Sequence, residues 1–223
     1  NGNIIDGQDG NDSIDGGAGN DTLRGGNGDD IILGGAGSDL NQGDAGTDTV
    51  NYALSSAAVS VNLTTNSGVG GDAQGDTYAT LENLIGSLFS DTLIGDASNN
   101  VLTGNDGNDS LSGLAGNDTI NGGNGDDVIT GGAGADALNG GAGNNTLFFG
   151  TNFANLTSVS ATAGVTINLN GVTVGSGWDA AGDTYLNFQT IFLTNLADTV
   201  TGSGLDELYL GLGGADTIDG GGG

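Results

Sequence analysis

The chain of 223 residues contains no cysteine, histidine, methionine or proline, and one basic side chain, Arg24. Each absence removes a class of chemistry. Without cysteine there is no disulfide framework. Without cysteine or histidine there is no zinc or copper site of the usual kind. Nucleophilic catalysis needs a base such as histidine, lysine or cysteine beside the nucleophile, and no such pair can be assembled. A nucleic-acid surface needs several basic residues to displace counterions, so no nucleic acid is expected as a partner. No apolar run reaches the roughly 18 residues that span a bilayer, and no signal-peptide pattern is visible.

Acid and glycine are abundant: 28 Asp and Glu give a formal charge of -27, and 48 residues are glycine. Like charges on a flexible backbone oppose compaction, which by itself reads as an acidic disordered linker. Yet 35% of the residues are hydrophobic, and they recur at strict intervals. The sequence therefore predicts disorder without a counter-charge and order with one.

The interval is nine. Units open at Gly7, Gly16, Gly25, Gly34 and Gly43, again at Gly86 and every ninth residue to Gly140, and again at Leu193, Gly202 and Gly211. The sixth position is Asp12, Asp21, Asp30, Asp39 and Asp48, then Asp91, Asn100, Asp109, Asp118, Asp127, Asp136 and Asn145, then Asp198, Glu207 and Asp216. The eighth is apolar throughout, from Ile14 to Ile218, except at Asn41. Two longer segments interrupt the array, and they resemble each other: AVSVNL (58–63) matches GVTINL (164–169), and GDTY at 75–78 recurs at 182–185. A period of 107 residues thus carries Asp91 to Asp198. Alternating Val59, Val61, Leu63 and Val165, Ile167, Leu169 read as strands. The second interruption gathers aromatics: Phe148, Phe149, Phe153, Trp178, Tyr185, Phe188 and Phe192. The organisation expected is a repeat block over 1–51, a β insert over 52–85, a block over 86–148, an aromatic-rich β insert over 149–192, and the start of a third block over 193–223.

In each unit GGxGxD is followed by three residues with an apolar centre. Those three make a short strand, and the glycine-rich six make a turn, since glycine enters positive φ at little cost. Two units return the chain to its starting side, so a coil takes about 18 residues and coils stack about 4.8 Å apart. Eighth-position side chains face inward. Stacking sets Asp12 beside Asp30 and Asp48 on one ridge, and Asp21 beside Asp39 on the other. Bare carboxylates so placed repel. Carboxylates with turn carbonyls form the hard, flexible oxygen set that suits Ca²⁺ better than Mg²⁺, which demands a stricter octahedron.

The pattern resembles the RTX (repeats-in-toxin, hemolysin-type) calcium-binding nonapeptide G-G-x-G-x-D-x-U-x, over roughly two thirds of the chain. The resemblance implies an all-β fold, a parallel β-roll (a right-handed β-helix or solenoid) with two larger β inserts. It implies several Ca²⁺ ions between adjacent turns; stacking suggests about six to ten. Carried onto this sequence, the carboxylate ligands are Asp12, Asp21, Asp30, Asp39, Asp48, Asp109, Asp118, Asp127, Asp136 and Asp216. Carbonyls come from Gly17, Gly19, Gly26, Gly28, Gly35, Gly37, Gly123, Gly125, Gly132 and Gly134. Asn100 and Asn145 lose the charge, Glu207 is a methylene too long, and turns 86–91 and 193–198 lack most glycines, so weak or empty sites are expected there. The twelve-residue helix–loop–helix calcium signature and the Walker lysine are both absent.

Serial carboxylates are unlike the unique pair of a glycosidase, so the chain is expected not to be an enzyme. The family implies export unfolded by bacterial type I secretion and folding outside the cell, on the surface or beyond it. The function expected is a calcium-folded structural segment of a secreted or cell-surface protein. The chain opens mid-repeat and stops in GGGG, which suggests a larger parent chain or head-to-tail stacking with copies of itself into a filament or sheath. The alternative is a non-catalytic module of a secreted enzyme or toxin. A carbohydrate- or ice-binding adhesin is a third reading, and the outward rank Thr92, Ser110, Val128, Thr146 is too irregular for ice.

Overall fold

A computed structural model describes residues 2–149, 163–169 and 175–223. Phe153 of the aromatic cluster and the side chain of Trp178 lie outside what is described. The described residues form strands and two short 3-10 turns, Gly71–Ala73 and Trp178–Ala180. The first repeat block supplies β1 (Ile4–Asp9), β2 (Ser13–Asp15), β3 (Thr22–Asn27), β4 (Ile31–Leu33), β5 (Leu40–Ala45) and β6 (Thr49–Asn51). The first insert supplies β7 (Ser60–Asn62), β8 (Ser67–Val69), β9 (Thr77–Ala79) and β10 (Asn83–Ile85). The second block supplies β11 (Thr92–Ile94), β12 (Val101–Asp106), β13 (Ser110–Ala115), β14 (Thr119–Asn124), β15 (Val128–Ala133), β16 (Ala137–Ala142) and β17 (Thr146–Phe148). The second insert and last units supply β18 (Val165–Asn168), β19 (Ser176–Gly177), β20 (Thr184–Leu186), β21 (Thr190–Phe192), β22 (Thr199–Thr201), β23 (Leu208–Leu210) and β24 (Thr217–Asp219).

The fold is a parallel β-solenoid, as the repeat predicts. Odd and even units fall on opposite sheets. In the first block, β1, β3 and β5 pair in parallel, and so do β2, β4 and β6. The register is one coil of two nonapeptides: Ile5 lies beside Leu23, Ile14 beside Ile32, and Leu111 beside Ile129. Eighth-position side chains are buried between the two sheets from Ile14 through Leu147 and at Val200. Tyr209 is only partly buried, and Ile218, on the last strand, is 44% exposed. A thin core of this kind buries each apolar side chain only when the neighbouring coil is in place.

Eight strands, β1, β3, β5 and β12 to β16, have six residues in place of the three expected, while β2, β4, β6, β11 and β17 keep three. The six-residue strands run on through the first positions of the turn, so that Gln8 pairs with Gly26 and Leu114 with Gly132. The second turn position then bends at positive φ. Gly26, Gly123 and Gly132 take that angle readily, whereas Gln8, Asp44, Asn105 and Leu114 are forced into it, at about 1–2 kcal/mol each for a residue with a Cβ.

Both inserts stay within the stack. β9 lies on β5, β10 on β6, and the antiparallel hairpin β7–β8 fills the sheet between β9 and β11. In the second insert β20 lies on β16, β21 on β17, and the antiparallel pair β18–β19 continues onto β22 and β24. Between the two inserts run seven nonapeptides, from Gly86 to Gly140. Because seven is odd, the second insert enters through the opposite sheet from the first: β9 joins the sheet of β5, and β20 joins that of β16, which also holds β6.

Candidate metal centre

Each full turn uses its backbone to join the next coil. The amide of the fourth residue donates to the third-position carbonyl one coil on, as Gly10 to Asn27 at 2.7 Å and Gly125 to Ala142 at 2.8 Å. The carbonyl of the sixth-position aspartate accepts from the residue that opens the strand one coil on, as Ile31 to Asp12 at 2.9 Å. The aspartate side chain is equally committed on one side. Its Oδ1 accepts the backbone N–H of the sixth-position residue of the preceding coil: Asp12 to Asp30, Asp21 to Asp39, Asp30 to Asp48, Asn100 to Asp118 and Asp118 to Asp136, all at 2.8 Å. Asp109 N–H donates to Asp127 at 2.9 Å.

The other oxygen has nothing. Oδ2 of Asp12, Asp21, Asp30, Asp39, Asp48, Asp109, Asp118, Asp127 and Asp136 is enclosed without a hydrogen-bond partner. All of these residues except the half-buried Asp12 are buried. Burying an anionic acceptor with no donor is among the costliest arrangements in a protein. The strain appears as raised pKa values. Burial first, then neighbouring carboxylates, pushes Asp109 and Asp118 up to about 7 against the pull of their backbone hydrogen bonds. Burial likewise raises Asp39, Asp48, Asp127 and Asp136. The one cation, Arg24, is spent on Asp44 at the surface, 2.5 Å away.

Glycine makes room for this arrangement. A Cβ on Gly7 would stand 2.7 Å from Asp12 Oδ2 and 2.5 Å from the Gly25 carbonyl oxygen. On Gly16 it would stand 2.8 Å from Asp21 Oδ2 and 2.6 Å from the Gly34 carbonyl oxygen. The unpaired carboxylate oxygen and a first-position carbonyl of the next coil therefore crowd the same face. The same holds at Gly25, Gly104, Gly113 and Gly122. Among the described residues no three carboxylates gather at one point, so the oxygen set is mixed, carboxylate with carbonyl. That composition, hard and anionic, fits Ca²⁺.

The glycines named from sequence divide by role. Carbonyls of Gly17, Gly19, Gly28, Gly123 and Gly125 point along the stack at the glycine Cα one coil on. The Gly17 carbonyl also accepts from Ala36 N–H at 2.9 Å. Gly26, Gly35, Gly37, Gly132 and Gly134 are the receiving positions, where any Cβ would strike the carbonyl of the coil before. Asp216 is half-buried, and its Oδ1 accepts from Asp198 N–H at 3.1 Å. The first-position carbonyls of Gly25, Gly34, Gly43, Gly122, Gly131 and Gly140 were not singled out in the sequence. Their signal was the recurrence of glycine at the first position of every unit but the one opened by Leu193, and its cause is the carboxylate that occupies the missing Cβ space.

Fold and turn together define a class: a parallel β-roll whose acidic turns present paired oxygens to a hard cation. The RTX calcium-binding nonapeptide repeat (4 copies) matches residues 6–40, 85–120 and 112–147, so those stretches are RTX repeats, a calcium-binding and non-catalytic β-roll module. No curated protein matches the chain. No described helix is long and apolar enough to cross a membrane.

Proposed function

We propose that the chain is a calcium-folded structural segment of a secreted or cell-surface bacterial protein. The observation that carries this is the row of nine enclosed aspartate oxygens without a donor. Bound there, Ca²⁺ supplies the positive charge that the fold lacks and bonds oxygens of successive turns together. The nine aspartates hold the ions with their Oδ2 atoms, and the first-position carbonyls complete the cage. Because the site exists only when neighbouring coils are stacked, binding energy becomes folding energy. The repeat blocks stay open where calcium is scarce, as in a cytosol, and become a rigid roll where it is plentiful, outside the cell. That behaviour suits export of an unfolded chain. Far-UV circular dichroism in EGTA and then in excess CaCl₂ tests the reading. A large gain of β signal with calcium is expected, and one β spectrum in both conditions refutes it.

A further inference from the structure

Nine sixth-position aspartates leave an oxygen bare, whereas Asp76, Asp91, Asp183 and Asp198, in the insert coils and the turns that follow them, have a donor on each oxygen. Asp76 Oδ1 accepts from Asp39 N–H at 2.8 Å, and its Oδ2 accepts from Tyr52 Oη at 2.7 Å and Asn41 Nδ2 at 3.3 Å. Tyr78 Oη closes the group, 2.7 Å from Tyr52 Oη. At the matching place 107 residues on, Asp183 Oδ1 accepts from Asp136 N–H at 2.8 Å and Oδ2 from Tyr185 Oη at 3.2 Å. Asp91 takes Val59 N–H on Oδ1 at 2.7 Å and Ser87 N–H on Oδ2 at 2.5 Å. Its counterpart Asp198 takes Val165 N–H at 2.8 Å and Thr194 N–H at 3.0 Å.

The asparagines next to the inserts reach the same end by another route. Asn100 and Asn145 keep the Oδ1 and replace the bare oxygen with an amine. Asn100 Nδ2 donates to the Glu82 carbonyl at 2.7 Å, and Asn145 Nδ2 to the Asn187 carbonyl at 3.1 Å. An amide N–H thus stands where a cation would otherwise join a side chain to a carbonyl. Asn41, the single polar residue in the eighth-position rank of the sequence, gives its Nδ2 to Asp76, while its own Oδ1 has no partner. The inserts also contribute apolar core of their own. Tyr52, Val59, Val61, Leu63, Tyr78, Leu81 and Leu84 are buried in the first, and in the second Phe149 packs edge-on against Tyr185, ring centroids 5.8 Å apart.

We propose that the first insert and the described residues of the second are metal-free clasps: coils whose turns are closed by tyrosine, serine, threonine and asparagine donors in place of Ca²⁺. They stay folded when calcium is withdrawn and serve as nuclei from which the calcium-filled blocks grow. In a stack where each coil contacts only its neighbours, order propagates from whichever coils are already formed. The unpaired aspartates fall into runs bounded by clasps. On one ridge they are Asp12, Asp30, Asp48, then Asp118 and Asp136 beyond Asn100. On the other they are Asp21 and Asp39, then Asp109 and Asp127 beyond Asp91.

The inference rests on the calcium reading above, and one experiment separates the two: hydrogen–deuterium exchange by mass spectrometry on the whole chain in EGTA and in excess CaCl₂. Peptides spanning 55–66 and 76–94 are expected to keep protection in EGTA, while peptides within 9–40 and 104–135 exchange freely and gain protection only with calcium. Free exchange of all four segments in EGTA, with protection of all in calcium, overturns the clasps and leaves the calcium reading standing. Equal protection everywhere in both buffers overturns both. Tyr52→Phe removes one donor from Asp76. It is expected to lose the EGTA protection of 55–66 and 76–94 while matching wild type in calcium, and unchanged EGTA protection also overturns the clasp.

Discussion

Asp118→Asn tests the metal centre with an unusual signature, because its effect should change sign with calcium. The substitution keeps the Oδ1 that accepts from Asn100 N–H at 2.8 Å. It replaces the enclosed, unpartnered Oδ2 with a neutral amine. Without calcium the aspartate is a liability: its carboxyl is pushed up to about 7 by burial and by Asp136 and Asp96. A fully dry group held that far above 3.8 would cost several kcal/mol. After discounting for solvent screening, about 2 kcal/mol of destabilisation at pH 8 is relieved by asparagine. With calcium the balance reverses. An ion present at a hundred times its dissociation constant stabilises the fold by about 2.7 kcal/mol, and a site robbed of its anionic ligand forfeits most of that. Stability measured by urea denaturation, followed by circular dichroism across a calcium series, should therefore rise less steeply for the variant than for wild type. The two curves should cross, with the variant about 2 kcal/mol ahead when extrapolated to zero calcium and about 1 kcal/mol behind at saturation. A variant curve parallel to wild type and below it throughout would mean that Asp118 serves only as a hydrogen-bond acceptor, and would refute the reasoning.

Two further predictions concern the same turns. Burial pushes Asp109, Asp118 and Asp183 up to about 7 and Asp76 up to about 6 in the folded chain, all above the ordinary carboxylate range, so the calcium-free fold binds extra protons between about pH 4 and pH 7. Its stability should be greatest below pH 4 and fall as pH rises through 7: in EGTA, β signal should grow on acidification, while the calcium needed for folding should rise. Loss of β signal on acidification in EGTA would contradict this. Gly132→Ala puts a Cβ against the Leu114 carbonyl oxygen at a residue with φ +99°. The backbone angle alone predicts a loss of about 1–2 kcal/mol in calcium-bound melts, whereas Gly220→Ala, with no atom within 4 Å of the added carbon, should change little.

The architecture was legible in the sequence to the degree that it is local and repeated. A nine-residue period states where turns and strands fall, and doubling it gives the coil, because two reversals restore direction. The eighth position names the core from Ile14 to Leu147, and the sixth names the aspartates, since both follow from which way a side chain points in a strand or turn. The sequence could not say which carboxylate oxygen would be left over. Only stacking brings the N–H of Asp12 to one oxygen of Asp30 and leaves the other bare. Asn41 reads in the sequence as an isolated lapse, because its partner Asp76 lies 35 residues away, in a segment outside the nonapeptide frame. Whether the second carboxylate oxygen meets a donor or is left bare was likewise decided by tertiary structure. A carboxylate is the same residue in both, and only its neighbours in space determine whether a hydroxyl or an amide reaches it.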